Sequence, residues 1–267
     1  MSPATFRALA ARLDGAAMLA LAGFLGWLVL FGDYWMYLNP RFKPVTLAAA
    51  AVLAVLGGYA ALRPVSRPRL GRGLCYLALA AMIAAVQGGV QAVSRQVDSD
   101  PFFVEPTLPA PERSPAPAGR MQAGGREYIP INAGELFDVA AKGTAEAFAR
   151  PYVMRGFVHR SPELDARGQF VLYRLAVWCC FADGTAVGFK VQAPAGAPLP
   201  ADKAWLAAYG RLAALPEDQR REYVLPGMAF SSVAPGAVLA AEHLEPLTLV
   251  PEDAYMFEWR QAEPYAY

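Results

Sequence analysis

Three stretches near the start of the chain contain no charged residue: 16–31, 45–62 and 74–93. Each approaches the ~20 residues that a helix needs to cross about 30 Å of hydrocarbon. The pattern predicts transmembrane helices over about 15–32, 45–62 and 74–93. Beyond residue 125 the period changes. Asn132 followed by Glu135 forms a capping-box signature, and Leu136, Val139 and Ala140 follow at helical spacing, so a short strand and one helix are expected over "YIPINAGELFDVAAK". Five strand-like runs come next: 152–160, 170–182, 185–193, 204–215 and 237–250, separated by Gly, Pro and Asp clusters.

Five strands and one helix in so short a segment fit a small, strongly bent β-domain, an OB-fold-like five-stranded barrel. Gly156 and Gly210, each inside a strand, suit the bulges and bends that such a barrel needs. The stretch between, "DPFFVEPTLPAPERSPAPAG", is dense in Pro and Ala and reads as an extended spacer. The expected organisation is a membrane domain at 1–95, a linker at 96–125 and a β domain at 126–267.

Composition agrees with membrane segments. The chain has 267 residues, of which 55% are hydrophobic and 18% charged, and a net charge of +1. Such a balance gives nucleic acid no concentrated basic surface, so no nucleic-acid partner is expected. The arginines set an orientation. Arg7 and Arg12 precede the first run, and Arg63, Arg67, Arg69 and Arg72 lie between the second and third, against Arg41 and Lys43 in the intervening loop. The positive-inside rule places the N-terminus and the Arg-rich loop in the cytoplasm; three spans then put the β domain outside. Tyr34, Trp35 and Tyr37 fit an interfacial aromatic belt, and Gly57 and Gly58 are small enough to let helices approach closely.

The chemistry concentrates in "FVLYRLAVWCCFADGTAVGFKV" (170–191). Asp183-Gly184 between two β-rich runs signals a two-residue hairpin turn. That turn pairs Cys180 with Val187, Cys179 with Gly188 and Trp178 with Phe189. Side chains alternate along a strand, so Cys180 faces the core while Cys179 lies on the other, more open face. Arg174 shares the parity of Cys180 and would need a carboxylate partner if buried, from Asp183, Glu242 or Glu245. A tetrahedral metal wants converging ligands, which opposite faces deny unless the pair is bulged. Core filler, metal ligand and redox pair all stay open for the two thiols. The candidate metal set is Cys179, Cys180, Asp183 and His159; a divalent ion such as zinc is the candidate cofactor.

"ARPYVMRGFVHR", "FVLYRLAVWCCFADGTAVGFKV", "KAWLAAYGRL" and "HLEPL" together resemble the YcgQ-like family of predicted permease subunits. The resemblance rests on Gly156-Phe157-Val158, on Arg174 before Cys179-Cys180-Phe181-Ala182-Asp183, on Trp205 with Gly210 and Leu212, and on "YLNPRF" at 37–42. It implies membrane helices followed by a domain of unknown function, association with a multi-span permease, and a link to metal homeostasis. The chain departs from the family at Gly184, where Ala is commoner, and in its tail.

No P-loop, dinucleotide-binding glycine motif, HExxH or G-x-S-x-G occurs, so an enzyme is not expected. The leading expectation is a membrane-anchored accessory subunit of a permease, embedded in the lipid bilayer, whose extracytoplasmic domain binds or gates a solute such as a metal ion. The alternatives are an envelope metal-binding or thiol-dependent chaperone acting without a permease, and a structural envelope assembly protein.

Overall fold

The computed structural model describes residues 3–63, 75–76, 78, 119–228 and 230–267, in two units divided between Phe103 and Val104. All of the third apolar run except residues 75, 76 and 78, and most of the Pro/Ala-rich stretch, lie outside the described residues.

In the first unit, α1 (Pro3–Leu30) and α2 (Lys43–Leu62) pack together. Segments Leu13–Leu30 and Pro40–Leu62 are long and apolar enough to cross a membrane, by length and composition. The contact between them is made by glycines. A Cβ on Gly15 would lie 2.6 Å from the Ala61 nitrogen, and one on Gly57 would lie 2.9 Å from Met18 Cβ. Gly57 therefore does what its size suggests, while Gly58 has open space around it. The connection between the helices is ordered by side chains: Asn39 accepts the Arg41 N–H at 3.1 Å, and Pro40 starts a single 3-10 turn. Tyr34 is held by the protein itself. It is buried against Leu28 and Val29, and its hydroxyl hydrogen-bonds Thr46 at 2.7 Å, because the turn folds it back between the helix ends.

The second unit is mainly β. Its strands are β1 (Met121–Ala123), β2 (Arg126–Pro130), β3 (Pro151–His159), β4 (Gln169–Ala176), β5 (Thr185–Gln192), β6 (Trp205–Ala214), β7 (Ser231–Pro246) and β8 (Tyr255–Met256). They form one eight-stranded sheet in the order β1-β2-β3-β6-β7-β5-β4-β8. An additional antiparallel pairing joins β3 to β4, so β3, β4, β5, β7 and β6 each have two partners within that set. The β5–β7 pairing is parallel and the other four are antiparallel. The domain begins earlier than 126: Gly124 and Gly125, both at positive φ, turn β1 back onto β2, so the end of the expected linker belongs to the fold.

Helices α3 (Ala133–Lys142), α4 (Ala145–Ala149) and α5 (Pro162–Asp165) fill the connections. The start of α3 carries the complete capping box of Asn132 and Glu135, and Gly143 at φ 64° ends it. Alternation holds along the central strands. Tyr152, Met154 and Val158 of β3, Phe170 and Leu172 of β4, Val187, Phe189 and Val191 of β5, and Leu206, Ala208 and Leu212 of β6 share one core with Leu136 of α3. Burying a side chain such as Phe189 contributes roughly 1.5–3 kcal/mol.

Two glycines permit close strand approach. A Cβ on Gly156 would lie 2.7 Å from the Tyr173 carbonyl oxygen, and one on Gly210 would lie 2.1 Å from that of Ala240. Gly210 sits where the β6–β7 register shifts, the bulge anticipated for it.

Candidate functional site

Cys179 and Cys180 are not in a strand. β4 ends at Ala176, which pairs with Thr185, and residues 177–184 form a loop in place of a two-residue turn. Across the hairpin, Val187 faces Arg174, Gly188 faces Tyr173 and Phe189 faces Leu172, six residues earlier than the expected partners in each case. The slip is even, so the core face of β5 and the inward parity of Arg174 are as expected. What changes is the fate of the cysteines.

The cause is competition for backbone hydrogen bonds. The Val177 N–H goes to the Met256 carbonyl at 3.1 Å, drawing the chain toward β8. The next three amides are captured by one side chain. Asp183 Oδ1 accepts from Trp178 N at 3.0 Å, and Oδ2 accepts from Cys179 N at 2.7 Å and Cys180 N at 3.4 Å. An Asp side chain that supplies acceptors locally removes those amides from a sheet ladder. The Asp183 N–H donates to the Cys180 carbonyl at 3.1 Å and completes the fold of the loop. Asp183 therefore organises a loop, a larger task than the turn expected of it.

Within this loop the two thiols lie on the same side. Their Sγ atoms are 3.7 Å apart, and with an Asp183 oxygen all three ligand atoms lie within 4.8 Å of one another. Two thiolates bound to one tetrahedral ion at ~2.3 Å stand about 3.8 Å from each other. The observed separation matches that requirement, whereas a disulfide needs ~2.05 Å. Cys179, Cys180 and Asp183 are the residues that could hold a thiophilic divalent ion such as zinc. Cys179 is exposed, Cys180 and Asp183 half-buried. Hydrogen bonding to Asp183, and then to Cys180, pushes the Cys179 thiol up to about 11. Burial opposes ionisation of Asp183, but the Cys179 thiol and the three amides outweigh it and hold its carboxyl below the usual range.

The other expected site residues fall elsewhere. His159 Nε2 hydrogen-bonds the Tyr223 hydroxyl at 3.0 Å, and it is not part of the ligand cluster. Arg174 is buried, yet none of its expected carboxylates meets it: Nη2 donates to the Tyr255 carbonyl at 2.9 Å. Burial, with Arg155 nearby, lowers its pKa. Glu242 instead serves Arg126 at 2.6 Å and Tyr128 at 2.7 Å, and Glu245 accepts from Tyr209 at 2.6 Å. Trp205 packs edge-on against Phe157, with ring centroids 4.9 Å apart.

Residues that sequence reasoning did not single out brace the loop. Trp178, although 52% exposed, stacks on Trp259 at 5.7 Å and 17°. Trp259 lies over α3 where Gly134 leaves room: a Cβ there would be 2.4 Å from the indole. Its Nε1 donates to Asp138 at 2.7 Å. Glu135, expected only to cap α3, also accepts the N–H groups of Arg260 at 2.7 Å and Ala266 at 3.0 Å, and so ties down the C-terminal tail that carries Trp259. A glycine just inside a helix, otherwise a poor helix former, was the one local hint of this contact.

No curated protein matches the chain. Residues 138–234, from within α3 to the early part of β7 and including the whole Cys-Cys loop, match the DUF1980 C-terminal domain, a domain of unknown function.

Proposed function

We propose that this chain is a membrane-anchored accessory subunit of a permease, presenting an OB-like metal-binding domain on the extracytoplasmic side. The observation that carries the proposal is the convergence of Cys179, Cys180 and Asp183, with the thiols 3.7 Å apart, on one exposed loop. Several features support the rest. The circuit of pairings β3–β4–β5–β7–β6–β3, with only β5–β7 parallel, fits a five-stranded barrel of the OB type. Two apolar helices of spanning length support membrane anchoring. The excess of arginine before the first and after the second supports a cytoplasmic N-terminus. The match to the DUF1980 C-terminal domain is compatible with the family resemblance from which the permease partner is inferred.

In this role the residues have distinct tasks. The two thiolates would supply the soft ligands, and Asp183 a hard one, while its amide contacts hold the loop in the ligating shape. The ion itself supplies charge that the three anionic groups offset.

The test uses the full chain, purified under reducing conditions in mild detergent. The expected result is about one zinc per chain, by direct metal analysis, lost in the Cys179→Ser/Cys180→Ser double variant. Cross-linking before purification should recover an integral-membrane partner. A reduced wild type without metal removes the site. Metal binding with no membrane partner favours an envelope metal-binding domain that acts alone.

A further inference from the structure

We infer that the Cys179–Cys180–Asp183 site is a transfer site: it holds a thiophilic metal ion through three ligands and passes it, by ligand exchange, to an acceptor bringing its own thiolate or imidazole. This inference rests on the metal-binding reading above and adds what the site does with the ion.

Four observations lead to it. First, all three donors come from a single loop, 177–184, and the described residues place no fourth His, Cys, Asp or Glu within the cluster. Structural zinc sites close all four tetrahedral positions with protein ligands, whereas sites that act on something keep one open. Second, Cys179 is exposed and its two companions are half-buried, so the cluster can be reached from solvent. Third, Asp183 is a divided ligand. It already accepts three amide N–H groups, and a carboxylate so occupied has less lone-pair density for a metal than a free one. The thiolates would hold the ion and the carboxylate would be the easiest ligand to displace. Fourth, the two histidines of the chain are engaged elsewhere, His159 with Tyr223 and His243 against the Tyr209 ring.

Transfer then needs no large movement of the domain. An incoming soft ligand takes the open position, Asp183 leaves the ion but stays held by its amides, and the thiolates are replaced in turn. The loop keeps its shape throughout, because the Asp183 contacts that define it do not depend on the metal.

The experiment loads the reduced full chain in detergent with zinc and mixes it with excess of a chromophoric chelator. The expected result is one zinc per chain and a transfer rate that rises in proportion to chelator concentration, tenfold for a tenfold increase. X-ray absorption at the zinc edge should show two sulfur and two oxygen or nitrogen neighbours. A rate independent of chelator concentration, with zinc still bound, overturns the transfer inference and leaves metal binding intact. So does half a zinc per chain with dimerisation and four sulfur neighbours, which would mean a closed site shared by two copies. Failure of the reduced wild type to bind zinc overturns both readings. Asp183→Asn gives an independent check: with the carboxylate ligand weakened, the slope of transfer rate against chelator concentration should rise, and an unchanged slope counts against the displaceable-ligand step.

Discussion

Asp183 orders its loop through three amides, and the proposed metal binding depends on the shape it sets. Asparagine keeps the shape and one acceptor oxygen, but it presents an NH2 group to amides that now meet Oδ1 or Oδ2. The thiols should then lose their fixed convergence. Zinc affinity of Asp183→Asn is expected to fall by roughly 10–100-fold, the usual cost of losing a group that orients metal ligands, as read by competition with a chelator of known affinity. A second residue, Glu135, is legible in the sequence only as a helix cap. Its carboxylate is buried and takes N–H groups from Asn132, Arg260 and Ala266. Glu135→Gln turns one acceptor into a donor facing a buried N–H and should destabilise the domain by about 1–3 kcal/mol, measured by urea unfolding. Burial raises the Glu135 pKa above its ordinary 4.5 despite the three N–H groups. The unfolded chain therefore releases this proton first. The stabilisation is full below about 4.5 and is lost as pH rises through the folded-state value, so the gap in stability between wild type and Glu135→Gln should widen on acidification toward 4.5.

Among the elements, β6 and β7 depend on a glycine at their bulge. A methyl group at 210 would lie 2.1 Å from a backbone oxygen, which cannot give way as a flexible side chain would. Gly210→Ala should cost on the order of 1–3 kcal/mol, as overpacking does, whereas Gly236→Ala, in open space on β7, should stay near wild type in the same thermal melts. The Cys-Cys loop shows a different dependence. Its strand-like composition favours continuing β4, yet β8 and Asp183 together take the backbone groups that continuation would need. Both partners lie beyond the cysteines in sequence, β8 by many residues.

For the whole molecule, the arrangement proposed across a membrane makes a prediction of its own. If the β domain is extracytoplasmic, a membrane-impermeant maleimide applied, after stripping of metal with an impermeant chelator, to intact cells expressing a Cys75→Ser variant should label Cys179, which is exposed. Labelling only after permeabilisation would place the domain on the cytoplasmic side and overturn either the third span or the orientation drawn from the arginines. The distribution of those arginines, the apolar runs and the Asn132–Glu135 cap are local patterns, and local patterns survive in one-dimensional form.

Much of the fold was legible for that reason. Periodicity located α3 and the five long strands in outline, although it began the last at 237 where β7 begins at Ser231; parity put Val187, Phe189 and Arg174 on the inward face, and the bulge expected at an in-strand glycine is found at Gly210. Identity of the candidate ligands was also legible, since Cys179, Cys180 and Asp183 stand close together in the chain. Their convergence was not. Whether two neighbouring thiols face apart or together depends on whether the strand runs through them. Tertiary structure settles that by bringing the Met256 carbonyl to Val177 and by letting one carboxylate collect three amides. The same holds for Arg174, whose partner is a carbonyl of the distant β8 and not a carboxylate, and for Trp178, whose support is Trp259 resting on Gly134. Hydrogen-bond competition between residues distant in the chain has no signature in local spacing, and here it is what turns an apparent strand into a loop that brings two thiols and a carboxylate together.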